Sequence, residues 1–326
     1  MALGLEKEAD PNIGREIASA LTLDEVIGVG TTGRVYRATQ IGFGRTFAVK
    51  LLHPFLVHTK EVKERFHREA RLMARLVHPS IVSVVDSGEL PPTTDSVNGQ
   101  SYLVYEYLEG QTLRQLLNST SAVNPPLAIA IVLSLADAIG TSHEKNIVHR
   151  DLKPENVMSV AREHGKFRFV VLDFGLARAL DGDTDPLTRA GAILGTPQYM
   201  SPEAARGEPA SPGSDVYALA TILYELLAGH PPFHGASPIA ILAQQVKSDV
   251  PPLSPALGLP PCLVDFVMSN LDKDPKIRCP NGTDFACQLL KIAVSTGHFP
   301  EFISTPQSPA SLIALEQSLR KVVQTA

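Results

Sequence analysis

Residues 147–157 read Ile147-Val148-His149-Arg150-Asp151-Leu152-Lys153-Pro154-Glu155-Asn156-Val157. Between two short apolar runs, eight positions bring together His, Arg, Asp, Lys and Asn. A solvated loop would not need so many distinct polar types in so few places, so this stretch marks a chemical site. Downstream, Val170-Val171-Leu172 delivers Asp173 to the end of an apolar strand, and Phe174-Gly175 follows as a turn. A hard dication such as Mg²⁺ wants oxygen ligands, and an Asp carboxylate with an Asn amide can supply them. Further on, Gly195-Thr196-Pro197-Gln198-Tyr199-Met200-Ser201-Pro202-Glu203 precedes Ser214-Asp215-Val216-Tyr217, which opens an apolar helix, and then Asp274-Pro275-Lys276-Ile277-Arg278.

Upstream lies Gly28-Val29-Gly30-Thr31-Thr32-Gly33-Arg34-Val35. Glycines let the backbone approach phosphate oxygens and offer them N–H donors. The same spacing marks dinucleotide-binding folds, but those require a helix after the glycines. Here Val35-Tyr36-Arg37-Ala38 continues as a strand, which fits a flexible hairpin over phosphates; an ordinary hairpin turn reads the same way. Phe47-Ala48-Val49-Lys50 ends an apolar strand on a lysine, where a charge needs an anion. Glu69, on one face of the helix that follows, is the candidate, and a plain surface lysine at a strand end is the alternative.

The rest of the chain sets these motifs in two parts. Glu25–Ile27, Arg34–Thr39 and Thr46–Leu52 read as strands. Phe66, Ala70, Met73, Ala74 and Val77 recur at helical spacing up to His78-Pro79, where a helix should stop. Ile81–Ser87 and Ser101–Tyr107 read as two more strands, with a loose polar loop, Leu90–Gln100, between them. Beyond Gly110, helical patterns dominate: Thr112–Asn118, Pro126–Lys145, Asp215–Gly229, Ile239–Lys247, Cys262–Leu271 and Asp284–Ser295. Only Ile147–His149, Val157–Val160 and Phe167–Leu172 suggest short strands. A strand-rich first part with one helix before a helix-rich second part is an α+β plan. A Pro-rich break at Thr305–Pro309 precedes a last amphipathic pattern, Leu312, Leu315, Leu319 and Val322.

Composition narrows the function classes. With 44% hydrophobic and 19% charged residues the chain is globular, and its 23 glycines and 26 prolines show no repeat period, which excludes collagen-like chains. A net charge of −5 without a long basic run gives no footprint for nucleic acid. Cys262, Cys279 and Cys287 form no CxxC or Cys/His pairing, so neither a disulfide framework nor a zinc site is expected. The first twenty residues lack the apolar core of a signal peptide. The longest apolar run, Val216–Ala228, is interrupted by Glu225 and is too short to cross a bilayer. These features lead us to expect a cytoplasmic protein without a membrane span.

In order along the chain, GVGTTGRV, FAVK, HRDLKPEN, DFG, SPE and the downstream Asp and Arg match the motif set of eukaryotic-type protein kinases. The chain resembles the bacterial Hanks-type serine/threonine protein kinases; GTPQYMSPEAARGE and SDVYALATILYELLAGHPPF are especially similar to that group. The resemblance runs from about residue 20 to 295. It implies a bilobal protein-kinase-like fold: an N-terminal extension over 1–20, a small β-rich N-lobe with one main helix over 21–108, a larger helical C-lobe over 109–297, and a tail with an amphipathic helix over 298–326.

The resemblance also implies roles. ATP would sit between the lobes with Mg²⁺, for which Mn²⁺ could substitute. Gly28, Val29, Gly30 and Gly33 would cover its phosphates. Lys50 would hold the α- and β-phosphates and pair with Glu69. Adenine would stack between Val35 and Ala48 above and Met158 below, bond to the backbone of Glu106 and Leu108, and have Tyr105 at the back of its pocket. Asn156 and Asp173 would hold the metal, Asp151 would orient the substrate hydroxyl and accept its proton, and Lys153 would neutralise the transferring phosphate. Lys153 with Thr196 resembles serine/threonine specificity, Thr196 bonding to Asp151 and Lys153. Arg150 would receive a phosphate in the activation segment, at Thr184 or Thr188. Glu203 and Arg278 would form a buried ion pair, and Asp215 would anchor the catalytic loop.

Some positions depart from the pattern. Thr31-Thr32 forms the lid tip, Ala161–Lys166 lengthens the path from Asn156 to Asp173 and is expected to form an extended turn, and Cys279 stands where proline is usual. None touches a catalytic group. Many relatives place a membrane span after the kinase domain; its absence here reads as a soluble member or as part of a longer protein. Protein substrates are the expected partners, together with a second copy of the chain for trans-autophosphorylation. A pseudokinase is disfavoured because Lys50, Asp151, Asn156 and Asp173 are all present. A small-molecule phosphotransferase would lack Thr196-Pro197 and Ser201-Pro202-Glu203, and an NAD-dependent oxidoreductase would need a helix after the glycines.

Overall fold

The computed structural model describes residues 10–18, 20–30, 32–53, 60–91, 99–120, 122–162, 167–174 and 196–297. By contact these fall into two compact units: one holds the described residues up to 75 together with 83–108, the other holds 76–82, 109–174 and 196–297. The Thr184 and Thr188 phosphosites, the tail helix, most of the Leu90–Gln100 loop and residues 163–166 of the expected extended turn lie outside the described residues.

In the first unit, strands β1 (Glu16–Ile17), β2 (Leu21–Val29), β3 (Gly33–Gln40) and β4 (Thr46–Leu52) precede helix α1 (Lys60–Met73), and β5 (Val84–Leu90) and β6 (Gln100–Glu106) follow it. They make one antiparallel sheet in the order β1-β2-β3-β4-β6-β5. Side chains alternate between the faces of a strand. One face packs Tyr36, Ala38, Val49, Leu51, Tyr102 and Val104 into a buried cluster with Ile17, Leu21, Leu23 and Leu90. Residues directly opposite each other share a face. The pairings Val35↔Lys50, Lys50↔Leu103 and Ala48↔Tyr105 therefore put Val35, Ala48, Lys50, Leu103 and Tyr105 together on the other face. Helix α1 buries Val62, Phe66, Ala70 and Met73. Its Lys63 and His67, one turn apart, reach Glu89 of β5 at 2.8 and 3.3 Å. The Lys63 hydrogen bond leads in holding the Glu89 carboxyl below its usual range.

The second unit contains β7 (Gly110–Thr112), α2 (Leu113–Ser119), α3 (Pro125–Glu144), β8 (Val157–Ala161), β9 (Phe167–Val171), α4 (Pro202–Ala205), α5 (Pro212–Ala228), α6 (Pro238–Lys247), α7 (Pro261–Asn270) and α8 (Gly282–Ser295). Helix starts follow cap chemistry. Asn124, Ser201 and Ser237 accept the N–H of Leu127, Ala204 and Ala240 at 3.0, 3.4 and 3.2 Å, with proline next in the chain each time. Helix α5 is buried on all sides and forms the centre of the unit. Helices α3 and α8 cross through two glycines: a Cβ on Gly282 would lie 2.5 Å from Gly140 N and 2.8 Å from Ala136 O, so neither helix can approach with a larger residue there.

The structure corrects several expectations. Helix α1 ends at Met73 rather than running to Val77, which is 86% exposed. The reason lies in residues 76–82, whose polar groups are taken by the second unit. Val171 N–H donates to Ser80 O at 2.9 Å, Val82 N–H donates to Val171 O at 3.0 Å, and His78 Nε2 sits 3.0 Å from Asp137. That segment belongs with the helical unit, although its sequence position puts it inside the expected N-lobe. The strand expected over Ile81–Ser87 is accordingly an isolated Ile81–Val171 bridge followed by β5. Ile147–His149 forms no strand, because Ile147 N–H donates to Ser142 O and His149 N–H to Asp215. The N-terminal extension joins the sheet at Glu16–Ile17, which pairs with β2. Among the described residues, α3 alone is long and apolar enough to cross a membrane by length and composition; most of it is buried inside the unit.

Candidate active site

In the first unit the glycines sit at the tip of the β2–β3 hairpin, closed by Gly30 N–H to Gly33 O at 2.9 Å. Gly33 has an internal reason to be glycine: its Cβ would fall 2.1 Å from Leu51 O. Gly28 and Gly30 have none of this kind. Their added Cβ atoms would meet neighbours only at 3.7 Å, and neither has a positive φ. Their missing side chains leave room for a group from outside the protein, as a phosphate cradle requires. Val29 at the tip is 74% exposed. Lys50 is buried on the face that also carries Val35, Ala48 and Tyr105. Glu69 lies half-buried on α1. Glu106 spends its N–H on Ser83 O at 3.1 Å and accepts Ser83 N–H on its carboxylate at 3.0 Å, so an adenine contact at this residue falls to its carbonyl. Leu108 is half-buried at the end of this unit.

In the second unit, Asp151, Lys153 and Asn156 meet on one carboxylate. Lys153 Nζ donates to Asp151 Oδ2 at 2.7 Å, and Asn156 Nδ2 donates to the same oxygen at 3.1 Å and to Asp151 O at 2.8 Å. These bonds fix the Asn156 amide so that Oδ1 is turned away as an oxygen donor. Leu172 N–H donates to Asn156 O at 2.8 Å, which brings β9 and Asp173 alongside. Asp173 has φ +49°, a left-handed backbone held between β9 and buried Phe174, whose ring packs 4.6 Å from that of His149. Met158 lies half-buried on β8 between Thr112 and Val170. Among the described residues no cluster of three or more His, Cys, Asp or Glu forms a complete metal cage. The Asn156 and Asp173 oxygens suit a hard dication that completes its shell with phosphate and water.

Asp215 organises the loop beneath. Its carboxylate accepts His149 N–H at 2.7 Å and Arg150 N–H at 2.9 Å. It also lies 2.9 Å from His143 Nε2, while His143 Nδ1 accepts Gly282 N–H at 3.1 Å. Arg150 is thereby held at φ +70°, a strained position for a non-glycine residue. Its side chain is exposed, as a phosphate receiver requires. Glu203 and Arg278 form the expected buried pair, bidentate at 2.9 and 2.9 Å, with Ser214 Oγ donating to Glu203 at 2.9 Å. Burial opposes the Glu203 charge, but Arg278 overcomes it and lowers the carboxyl to about 2. Thr196 opens a 3-10 turn through its backbone. Its expected bond to Asp151 and Lys153 is not among the hydrogen bonds of the described residues, where Lys153 and Asn156 both bond to Asp151 Oδ2.

A second network was not anticipated. Arg114 of α2 donates to Glu155 Oε1 and Glu225 Oε1, both at 2.7 Å, and to the Tyr199 hydroxyl, which in turn donates to Glu225. It ties the catalytic loop to the turn after Thr196. Burial first, then the Glu225 carboxylate, raises the Tyr199 hydroxyl far above its ordinary value, so it stays a donor. The sequence did hold one signal, since Glu225 is the one acid inside the apolar run Val216–Ala228 and had to be paired. Arg114→Met is expected to destabilise the second unit by about 2 kcal/mol, less than for a fully buried pair because Arg114 keeps solvent contact. Urea unfolding followed by circular dichroism measures it, and an unchanged midpoint would deny the network its role.

Comparison with known proteins follows this geometry. The family described as Protein kinase domain matches residues 21–291. A probable serine/threonine-protein kinase PknB of Corynebacterium glutamicum is 38% identical over 282 residues, 85% of this chain and 43% of its own length. Serine/threonine-protein kinase PknB of Mycolicibacterium smegmatis is 38% identical over 280 residues, 85% of this chain and 44% of its own. The chain thus spans less than half the length of these curated relatives. Among solved structures, the Mycobacterium tuberculosis PknI kinase domain, as a C20A and R136A double mutant, superposes with a TM-score of 0.66 at 26% identity, covering 85% of this chain and 96% of that one.

Proposed function

Because this chain belongs to the protein kinase family, in its bacterial Hanks-type serine/threonine branch, we propose that it transfers the γ-phosphate of ATP to serine and threonine hydroxyls of proteins. The observation that carries this reading is the shared Asp151 carboxylate. Lys153 and Asn156 hold one of its oxygens, which leaves the other to orient a hydroxyl and take its proton. Phosphoryl transfer needs little covalent help, so position and charge neutralisation supply most of the rate. Lys153 neutralises charge on the transferring group. Lys50 would hold the α- and β-phosphates and pair with Glu69, and the Gly28 and Gly30 backbone would cover them. Mg²⁺, held by Asn156 Oδ1 and Asp173, neutralises phosphate charge when bound, and Mn²⁺ has the same ligand preference.

The activation segment carries the regulatory part of the reading. Phosphate on Thr184 or Thr188 gains charge-assisted bonds to Arg150 and orders the segment, and a second copy of the chain delivers it in trans. A cytoplasmic location is supported by the three free cysteines, Cys262, Cys279 and Cys287. The test is incubation of the purified chain with Mg-ATP and a generic protein acceptor, followed by phosphosite mapping. Phosphate on Ser or Thr is expected. Bound ATP without transfer would instead support a nucleotide-binding scaffold. Lys50→Met is expected to cut kcat/KM for ATP by about 100-fold, through lost charge at the phosphates. Unchanged turnover in that variant would remove Lys50 from the site.

A further inference from the structure

Residues 10–17 precede the glycine hairpin in sequence and grip it in space. Asp10-Pro11-Asn12-Ile13 carries the Asp and Pro signature of a type I turn. Ile13 N–H donates to Asp10 O at 3.1 Å, and Asn12 N–H to Asp10 Oδ1 at 2.9 Å. Gly14 follows at φ +80°, and the chain then runs antiparallel to β2, with Gly14 N–H to Leu23 O at 2.8 Å and Leu23 N–H to Arg15 O at 3.0 Å. This path leaves Asp10 Oδ2 to accept Arg34 Nη1–H at 2.6 Å and the Tyr36 hydroxyl at 3.0 Å. Asn12 Nδ2 donates to the same Tyr36 oxygen at 3.2 Å. The Asp10 side chain is 9% exposed. Burial disfavours its charge, but the bonds from Asn12, Arg34 and Tyr36 outweigh it and keep the carboxyl below its ordinary range.

Arg34 and Tyr36 are alternate residues of β3, so they share the face opposite Val35. Arg34 directly follows Gly33 and pairs with Val29 across the hairpin. The β2 side of that hairpin is interrupted by two irregularities, at Leu23/Glu25 and Val26/Gly28. A hairpin loosened by bulges needs an outside restraint if its N–H groups are to keep one conformation.

We propose that Asp10 is a positioning residue for the nucleotide phosphates: through Arg34 and Tyr36 it straps β3 from behind and pre-orders the Gly28–Gly33 hairpin. This rests on the reading of that hairpin as the phosphate cover. Ordering the hairpin in advance lowers the entropy cost of binding at the phosphate end and leaves the adenine end untouched.

The test uses the full chain as wild type, Asp10→Ala, Asp10→Glu and Tyr36→Phe. Asp10→Ala is expected to raise KM for ATP by about 3- to 10-fold with kcat within about twofold, the signature of a lost charge-assisted brace. By calorimetry its ADP affinity should fall by the same factor while adenosine affinity stays as in wild type. Tyr36→Phe keeps the buried ring and should show a smaller effect in the same direction, which also covers failure of Asp10→Ala to fold. Asp10→Glu should restore much of the affinity. Unchanged KM for ATP in folded Asp10→Ala and Tyr36→Phe overturns the proposal. So does a parallel loss of ADP and adenosine affinity, which reports general loosening of the sheet. Wild type that binds neither ATP nor ADP overturns the nucleotide reading itself, and the strap with it.

Discussion

Asp151→Asn is expected to slow phosphoryl transfer by about a thousandfold while nucleotide affinity stays within about twofold. The substitution is nearly isosteric. The amide oxygen can still accept from Lys153 and Asn156, which now bond to Asp151 Oδ2 at 2.7 and 3.1 Å. What disappears is the ability to take up a proton and the negative charge that holds Lys153 in place. The rate should fall without loss of the bound state. Single-turnover ADP formation, with calorimetry of ADP binding alongside, separates the two quantities. Turnover near wild type would show that Asp151 is not the proton acceptor. Equal losses in rate and affinity would show that the loop had collapsed.

Arg278→Met is expected to cost about 3–5 kcal/mol, the largest stability effect of any single change considered, because it leaves a carboxylate buried without its cation. Glu203 would keep Ser214 Oγ and its own backbone N–H, and would lose the two guanidinium hydrogen bonds it now accepts. Arg278 in turn donates to the carbonyls of Asp272 and Gly213 at 2.8 and 2.9 Å, so its loss also releases the turn before α8. The pH dependence has a definite sign. Glu203 has a folded-state pKa lowered from 4.5 to about 2. Its contribution is therefore fully present above the unfolded value of 4.5 and is lost as pH falls toward about 2. In Arg278→Met the carboxyl rises, and acid unfolding begins at higher pH than in wild type. Denaturant melts at pH 7 and at pH 4 measure both effects; a midpoint that does not move at pH 7 would refute the assignment.

What the sequence made legible was the chemistry that stays local. The glycine hairpin, the Asp151 loop, the Asp173 strand end and helices α5 to α8 follow from spacing and cap residues within a few positions of one another. What it concealed depends on distant partners. Helix α1 stops at Met73 because residues 76–82 bond to β9, about ninety residues away, and no local rule contains that competition. The Arg114 network joins α2, the Asp151 loop and α5, and only Glu225, interrupting the apolar run Val216–Ala228, hinted at it. Residues 10–17 read only as part of an N-terminal extension over 1–20, since the Asp10-Pro11 turn signal has no strand of its own to identify it. Its meaning comes from Arg34 and Tyr36, which face Asp10 only once β2 and β3 have formed.

The capture of residues 76–82 by the helical unit also sets a timetable for synthesis. Leu76, Ile81 and Val82 are buried in the finished protein, yet they leave the ribosome well before Val171, the residue that pairs with Ile81. At cellular elongation rates that interval is about 5–20 s. Until α3 arrives the segment lacks its Asp137 contact, and until β9 arrives it lacks its Val171 pairing, while the surrounding strands can close a sheet from which it is excluded. The nascent chain thus carries an apolar stretch that waits for partners made later, an interval in which a holdase can bind it.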